Sequence, residues 1–132
     1  MRPPPPAEPA PLAEPVGPLD RVTVDRLRSL FHAADTNSLI HLFDSFVEDA
    51  DSRIAALRAV AADGAAAEMG GRLHKLRGSC LMVGAARMAQ TCRQLEQANQ
   101  TKDHANLRRW IEQLDRDLED VKNAIAAEAA AR

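Results

Sequence analysis

The sequence predicts an all-α fold: an antiparallel up-and-down four-helix bundle with a short additional helix on its N-terminal side. Three observations carry that expectation. All eight prolines lie within the first 18 residues, so no proline interrupts a helical backbone in residues 19–132. Apolar residues recur at steps of three and four from Val24 to Ile125, the period of one face of a helix. Aromatic residues are only 3% of the chain, so its core must be built from Leu, Ile, Val, Met and Ala, which suit packed helices better than sheets.

Each element follows in turn. Residues 1–20 mix Pro, Ala and Glu and cannot bury a core, so they are expected to be a disordered Pro-rich leader or linker ahead of one domain over residues 21–132. Thr23 is the expected cap of a short first helix with Val24, Leu27, Leu30 and Phe31 on its apolar face. Thr36-Asn37-Ser38 offers the cap of a long second helix whose stripe is Leu39, Phe43, Phe46, Ala50, Ile54 and Leu57, ended by Asp63-Gly64. The third runs from about Ala66 to Val83, burying Met69, Leu73, Leu76, Cys80 and Val83, and turns at Gly84. A fourth, from about Ala85 to Asn99, carries Met88, Cys92 and Leu95. The last starts near Asp103 and presents Leu107, Trp110 or Ile111, Leu114, Leu118, Val121 and Ile125, with an Ala-rich end (Ala124 to Arg132) expected to fray.

Composition narrows the function. A net charge of −2 does not suit a nucleic-acid binder, which needs a basic stripe to displace counterions. No apolar run approaches the roughly 18 residues that cross a bilayer, and Met1-Arg2-Pro3-Pro4-Pro5-Pro6 lacks the apolar stretch of a secretory signal, so a cytoplasmic location is expected. His32, His41 and His104 are scattered, and no Glu stands three residues before any His, so no metal site is expected. Cys80 and Cys92 read as buried free thiols flanking one turn. The acidic run Glu112, Asp115, Asp117, Glu119 and Asp120 reads as a solvated helix face. Neither a phosphate-binding Gly-rich loop nor a nucleophile elbow is present, which argues against ATP binding and serine hydrolysis.

The informative stretch is Met69-Gly70-Gly71-Arg72-Leu73-His74-Lys75-Leu76-Arg77-Gly78-Ser79-Cys80. Leu73, Leu76 and Cys80 share the buried side of the third helix, and His74 points away from them. Gly70 and Gly71 stand one turn before it, Gly78 one turn after, and Arg77 at i+3. A helical glycine costs about 0.8–1 kcal/mol relative to Ala, so three sacrifice roughly 2–3 kcal/mol unless Gly70-Gly71 belong to a loop before a later helix start. A bare helix surface around one imidazole suits close approach by another macromolecule. Imidazole, with a reference pKa of about 6.5, is also the side chain best able to act as a neutral nucleophile near pH 7. If the following turn centres on Gly84-Ala85, antiparallel packing brings residues near 95 and 96 level with His74, so Glu96 is placed to accept a hydrogen bond from its Nδ1, the alternative being a solvated surface carboxylate.

The string His74-Lys75-Leu76-Arg77-Gly78-Ser79, with Gly84 and Cys92-Arg93-Gln94-Leu95-Glu96 after it and the stretch from Leu39 to Ala50 before it, resembles the histidine-containing phosphotransfer (Hpt) domain of two-component phosphorelays, over residues 22 to about 125. The resemblance implies that His74 accepts a phosphoryl group from an aspartyl phosphate of a receiver domain, in trans or on the same polypeptide, and passes it to another receiver. It supports Glu96 as the residue that orients the imidazole, and it places Arg77, where the family usually has Lys, in charge pairing with phosphate and receiver. Gly71, Lys75, Gly78 and Gly70 would line the docking surface. The chain itself would bind no cofactor, Mg²⁺ being expected on the receiver, and the domain would be monomeric, without nucleic-acid or direct membrane contact. Such domains are found in hybrid sensor kinases and as small standalone carriers. The competing expectations are an Hpt-like module that docks a regulator without carrying phosphate, and a purely structural bundle.

Overall fold

The computed structural model describes residues 17–31 and 36–130. Most of the Pro-rich segment, His32 and the last two residues lie outside the described residues. Among the described residues five helices follow one another: α1 (Arg21–Phe31), α2 (Thr36–Asp63), α3 (Ala66–Val83), α4 (Ala86–Gln100) and α5 (His104–Ala130). Among the described residues there is no strand. Links of two residues between α2 and α3, two between α3 and α4 and three between α4 and α5 leave the chain no choice but to double back, which gives the up-and-down bundle. Each of the four long helices packs against two neighbours, in the cyclic order α2, α3, α4, α5.

The helices are unequal, and the inequality explains α1. At 1.5 Å per residue the 28 residues of α2 and the 27 of α5 span about 40 Å, whereas the 18 of α3 and 15 of α4 span only about 22–27 Å. Beyond the α3–α4 turn, α2 and α5 therefore project past the ends of α3 and α4. The 11-residue α1 occupies that notch, packing on α2 and α3 with Val24 fully buried. Arg21 and Arg28 of α1 both pair with Glu128 near the end of α5, Arg28 Nη2 at 3.2 Å from the carboxylate. These guanidiniums, above all the hydrogen bond from Arg21, hold the Glu128 carboxyl below its ordinary range. The Ala-rich end, expected to fray from Ala124, is instead helical to Ala130, fastened by Glu128.

The stripes of α2 to α5 form one core, in which Phe43, Leu57, Leu73, Leu76, Met88, Leu95 and Leu114 have essentially no solvent contact. Three features of the sequence lie elsewhere than expected. The cap of α1 is Asp20 and not Thr23: the Asp20 carbonyl accepts from Val24 N–H, its carboxylate accepts from Val22 N–H, and the Thr23 hydroxyl donates to it at 2.6 Å. Leu30 is 69% exposed, because a helix lying in a notch has only a narrow buried face. Leu19, assigned above to the leader, packs against the core, and Asp20 N–H donates to Gly84 O at 2.6 Å, so ordered chain begins before residue 21. Gly84 is required there twice over: its φ is +81°, and a Cβ would stand 3.0 Å from that of Thr23.

The acidic run of α5 is not uniformly solvated. Asp117 is 1% exposed, accepting from the Thr91 hydroxyl of α4 and from Gln113 Nε2 at 2.8 Å. Its place could have been read from the spacing, since it stands three residues after Leu114 and four before Val121, on the apolar stripe. Burial pushes its carboxyl above the ordinary range against the pull of those two donors and Arg87. An acid whose folded-state pKa is raised stabilises the fold below its unfolded value and loses that contribution as pH rises through the folded one. Asp117→Asn should therefore gain stability relative to the parent as pH climbs from about 4 towards 7, read as diverging urea midpoints. Parallel midpoints across that window would show that Asp117 ionises in the folded protein as freely as in the unfolded one.

Candidate functional site

Helix α3 presents its buried residues Met69, Leu73, Leu76, Cys80 and Val83 to the core and the rest of its circumference to solvent and the flank of α4. His74 lies mid-helix on the open side, exposed, and its ring has no hydrogen-bond partner among the described residues. All three glycines lie inside α3, so the loop alternative for Gly70-Gly71 does not hold. They are not equivalent. A Cβ added at Gly71 or Gly78 would meet nothing within 4 Å, whereas one at Gly70 would touch the Asn99 side chain of α4 at 3.6 Å. The bare ground on either side of His74 is thus made by Gly71 and Gly78, and Gly70 belongs to the α3–α4 seam. Lys75 is exposed, a third of a turn round from His74, and forms no ion pair with a described residue.

Arg77 and Glu96 are brought together, but not as the sequence suggested. Glu96 does stand on α4 facing α3 at this level. There its Oε2 accepts a hydrogen bond from Arg77 Nη1 at 3.2 Å, with the two side chains 28% and 23% exposed. No hydrogen bond joins Glu96 to His74. The physical reason is competition for one carboxylate: a guanidinium forms a charge-assisted, potentially forked bond, which outweighs that of a neutral imidazole N–H. His74 instead points outward, ahead of the pair.

Two neighbours of the site were not singled out from the sequence. Leu81 and Met82, in the last turn of α3, are 58% and 74% exposed. Leu81 is seven residues beyond His74, two helical turns and about 10 Å along the same face, with Gly78 between them. Their signal was available: both are apolar, yet neither falls on the stripe that runs through Cys80 to Val83. The free thiols of Cys80 and Cys92 are buried behind this face, and the hydrogen bond with Cys80 together with burial pushes the Cys92 thiol far up, so Cys92 is not poised for reaction. Among the described residues no cluster of His, Cys, Asp or Glu could hold a metal ion.

A solvent-facing histidine between two bare patches of helix, backed by an ion pair, is the arrangement against which comparison with known proteins becomes informative. The Hpt domain family model matches residues 41–124, which takes in α3 and α4 whole and most of α2 and α5. The chain belongs to the Hpt domain family. Its fold agrees with solved structures of that kind. Histidine-containing phosphotransfer protein B from Pseudomonas aeruginosa PAO1 superposes with a TM-score of 0.76 at 23% identity, over 87% of this chain and 96% of that one. A putative histidine-containing phosphotransfer protein from rice gives 0.72 at 23% identity, over 83% and 79%. No curated protein sequence matches the chain. Within this Hpt domain no helix among the described residues is long and apolar enough to cross a membrane.

Proposed function

We propose that this Hpt domain carries a phosphoryl group on His74, taking it from the aspartyl phosphate of one receiver domain and yielding it to the aspartate of another. The observation that carries the proposal is His74 itself: mid-helix, exposed, unpartnered among the described residues, with open space over Gly71 and Gly78 on either side. In the forward step an imidazole nitrogen attacks phosphorus, the bond from phosphorus to the aspartate oxygen breaks, and the carboxylate departs with the bonding pair while the ring loses its proton to water. Transfer of this kind asks for alignment and charge neutralisation. The receiver brings the aspartate and its Mg²⁺; this chain brings the nucleophile, the Arg77 charge and a surface that lets the receiver's loops come close. Leu81 and Met82 extend that surface with an apolar foothold, and Lys75 adds diffuse attraction for an acidic pocket. The thiols, free and buried, fit a reducing compartment, and the cytoplasm is the proposed location, with the receiver either separate or on the same polypeptide. With its apolar stripes turned inward the domain acts as a monomer.

The test is incubation with a phosphorylated receiver, followed by a search for phosphoryl label on the domain that is labile in acid and stable in alkali, as a phosphorus–nitrogen bond is. Binding of the receiver without such label would favour a docking module that carries no phosphate.

A further inference from the structure

The Arg77–Glu96 pair has a consequence for any group attached to His74. Arg77 is one turn from His74 on the same helix, close enough for its guanidinium to reach phosphoryl oxygens on the ring. In the unmodified protein that guanidinium is committed to α4, and both members of the pair are about three-quarters shielded from water, so the interaction is not a freely solvated one. We propose that Glu96 is a positioning residue for Arg77: it holds the guanidinium beside the His74 face and competes with a phosphoryl group on His74 for it. This rests on the reading of His74 as the phosphoacceptor.

The competition works in both directions. Tethered by Glu96, Arg77 does not sample the rotamers of a free surface arginine, so less entropy is lost when an arriving phosphoryl group engages it. Once the group is in place, Glu96 still draws on the same donors and adds a negative charge nearby, so the phosphoryl is held less firmly than an unopposed arginine would hold it. A carrier that must both accept and release gains from that balance, because a group bound too tightly is not handed on. The role differs from orientation of the imidazole, since it acts entirely through Arg77.

The difference is measurable without a receiver. Phosphoramidate, a small phosphoryl donor, can load His74: a ring nitrogen attacks phosphorus, the donor's P–N bond breaks, and the amine leaves with the ring proton as ammonium. Phosphorus NMR then follows ionisation of the attached phosphoryl group against pH in the parent, Glu96→Gln, Arg77→Gln and the double variant. A nearby guanidinium favours the dianion and lowers the midpoint; Glu96→Gln, by releasing Arg77 to the phosphoryl, should lower it further, by about 0.3–0.5 pH unit. In the Arg77→Gln background at least half of that shift should vanish, leaving the direct effect of removing one charge. Equal shifts in the two backgrounds would overturn the proposal, as would failure of phosphoramidate to load His74. A receiver that transfers nothing to a domain in which this coupling is intact would remove the carrier reading alone.

Discussion

Replacing His74 with Gln is expected to abolish acid-labile label from a phosphorylated receiver altogether, while leaving the thermal midpoint within a degree or two of the parent. The loss is complete because the carboxamide keeps size and polarity but has no nucleophilic nitrogen. The fold is spared because His74 is exposed and bonded to no described residue, and exposed substitutions away from caps and core usually change stability by less than about 0.5 kcal/mol. Two controls give the result its meaning. His41 and His104 are also exposed, on α2 and at the start of α5, and their Gln variants should label as the parent does. If His74→Gln still takes label, the phosphoacceptor is another residue and the account of the α3 face falls with it.

Gly78→Gln should move stability and activity in opposite directions. The residue is interior to α3 and exposed, and a side chain there would meet nothing in the protein itself. Exchanging glycine for a good helix former should stabilise by roughly 0.5 kcal/mol, a rise in midpoint of about 2 °C for a domain of this size. The same side chain would stand one turn from His74, over the ground proposed for receiver docking, and transfer should slow by about tenfold or more, since small misplacements of reacting groups carry penalties of that order. A single-turnover time course beside a thermal melt checks both halves. Unchanged transfer with a raised midpoint would show that the partner approaches from another side. Gly70→Ala serves as a comparison: its Cβ would rest on Asn99 inside the seam, so transfer should be little affected.

Where sequence and structure agree, the reason is periodicity. The stripes of α2, α3 and α5 fill the core residue by residue, and α3 has the bounds that Gly64 and Gly84 mark. The exposed placement of His74 was legible because its position falls off the buried side that Leu73, Leu76 and Cys80 share. What could not be read depends on objects distant in sequence. Glu128 finds its partners Arg21 and Arg28 on α1, a hundred residues earlier, which lies in a notch created by helices of unequal length. Leu30 looks apolar enough to be buried until the narrowness of that notch is known. Arg77 and Glu96 were each placed at the right height, but their preference for one another over His74 is a contest between donors, and spacing alone does not decide contests. Asp117 is a different case: its position on the stripe was visible, and the charged residues around it obscured it.

That buried aspartate bears on the accuracy of the site. Facing apolar stripes of Leu, Val and Met tolerate slippage, since one greasy contact nearly replaces another. A carboxylate that accepts from the Thr91 hydroxyl favours one setting of α5 against α4, because a slide of one turn would break that hydrogen bond between the helices. Thr91 and Glu96 ride on the same helix. The peg that keys α4 to the back of the bundle therefore also sets the height at which Glu96 meets Arg77 on the front.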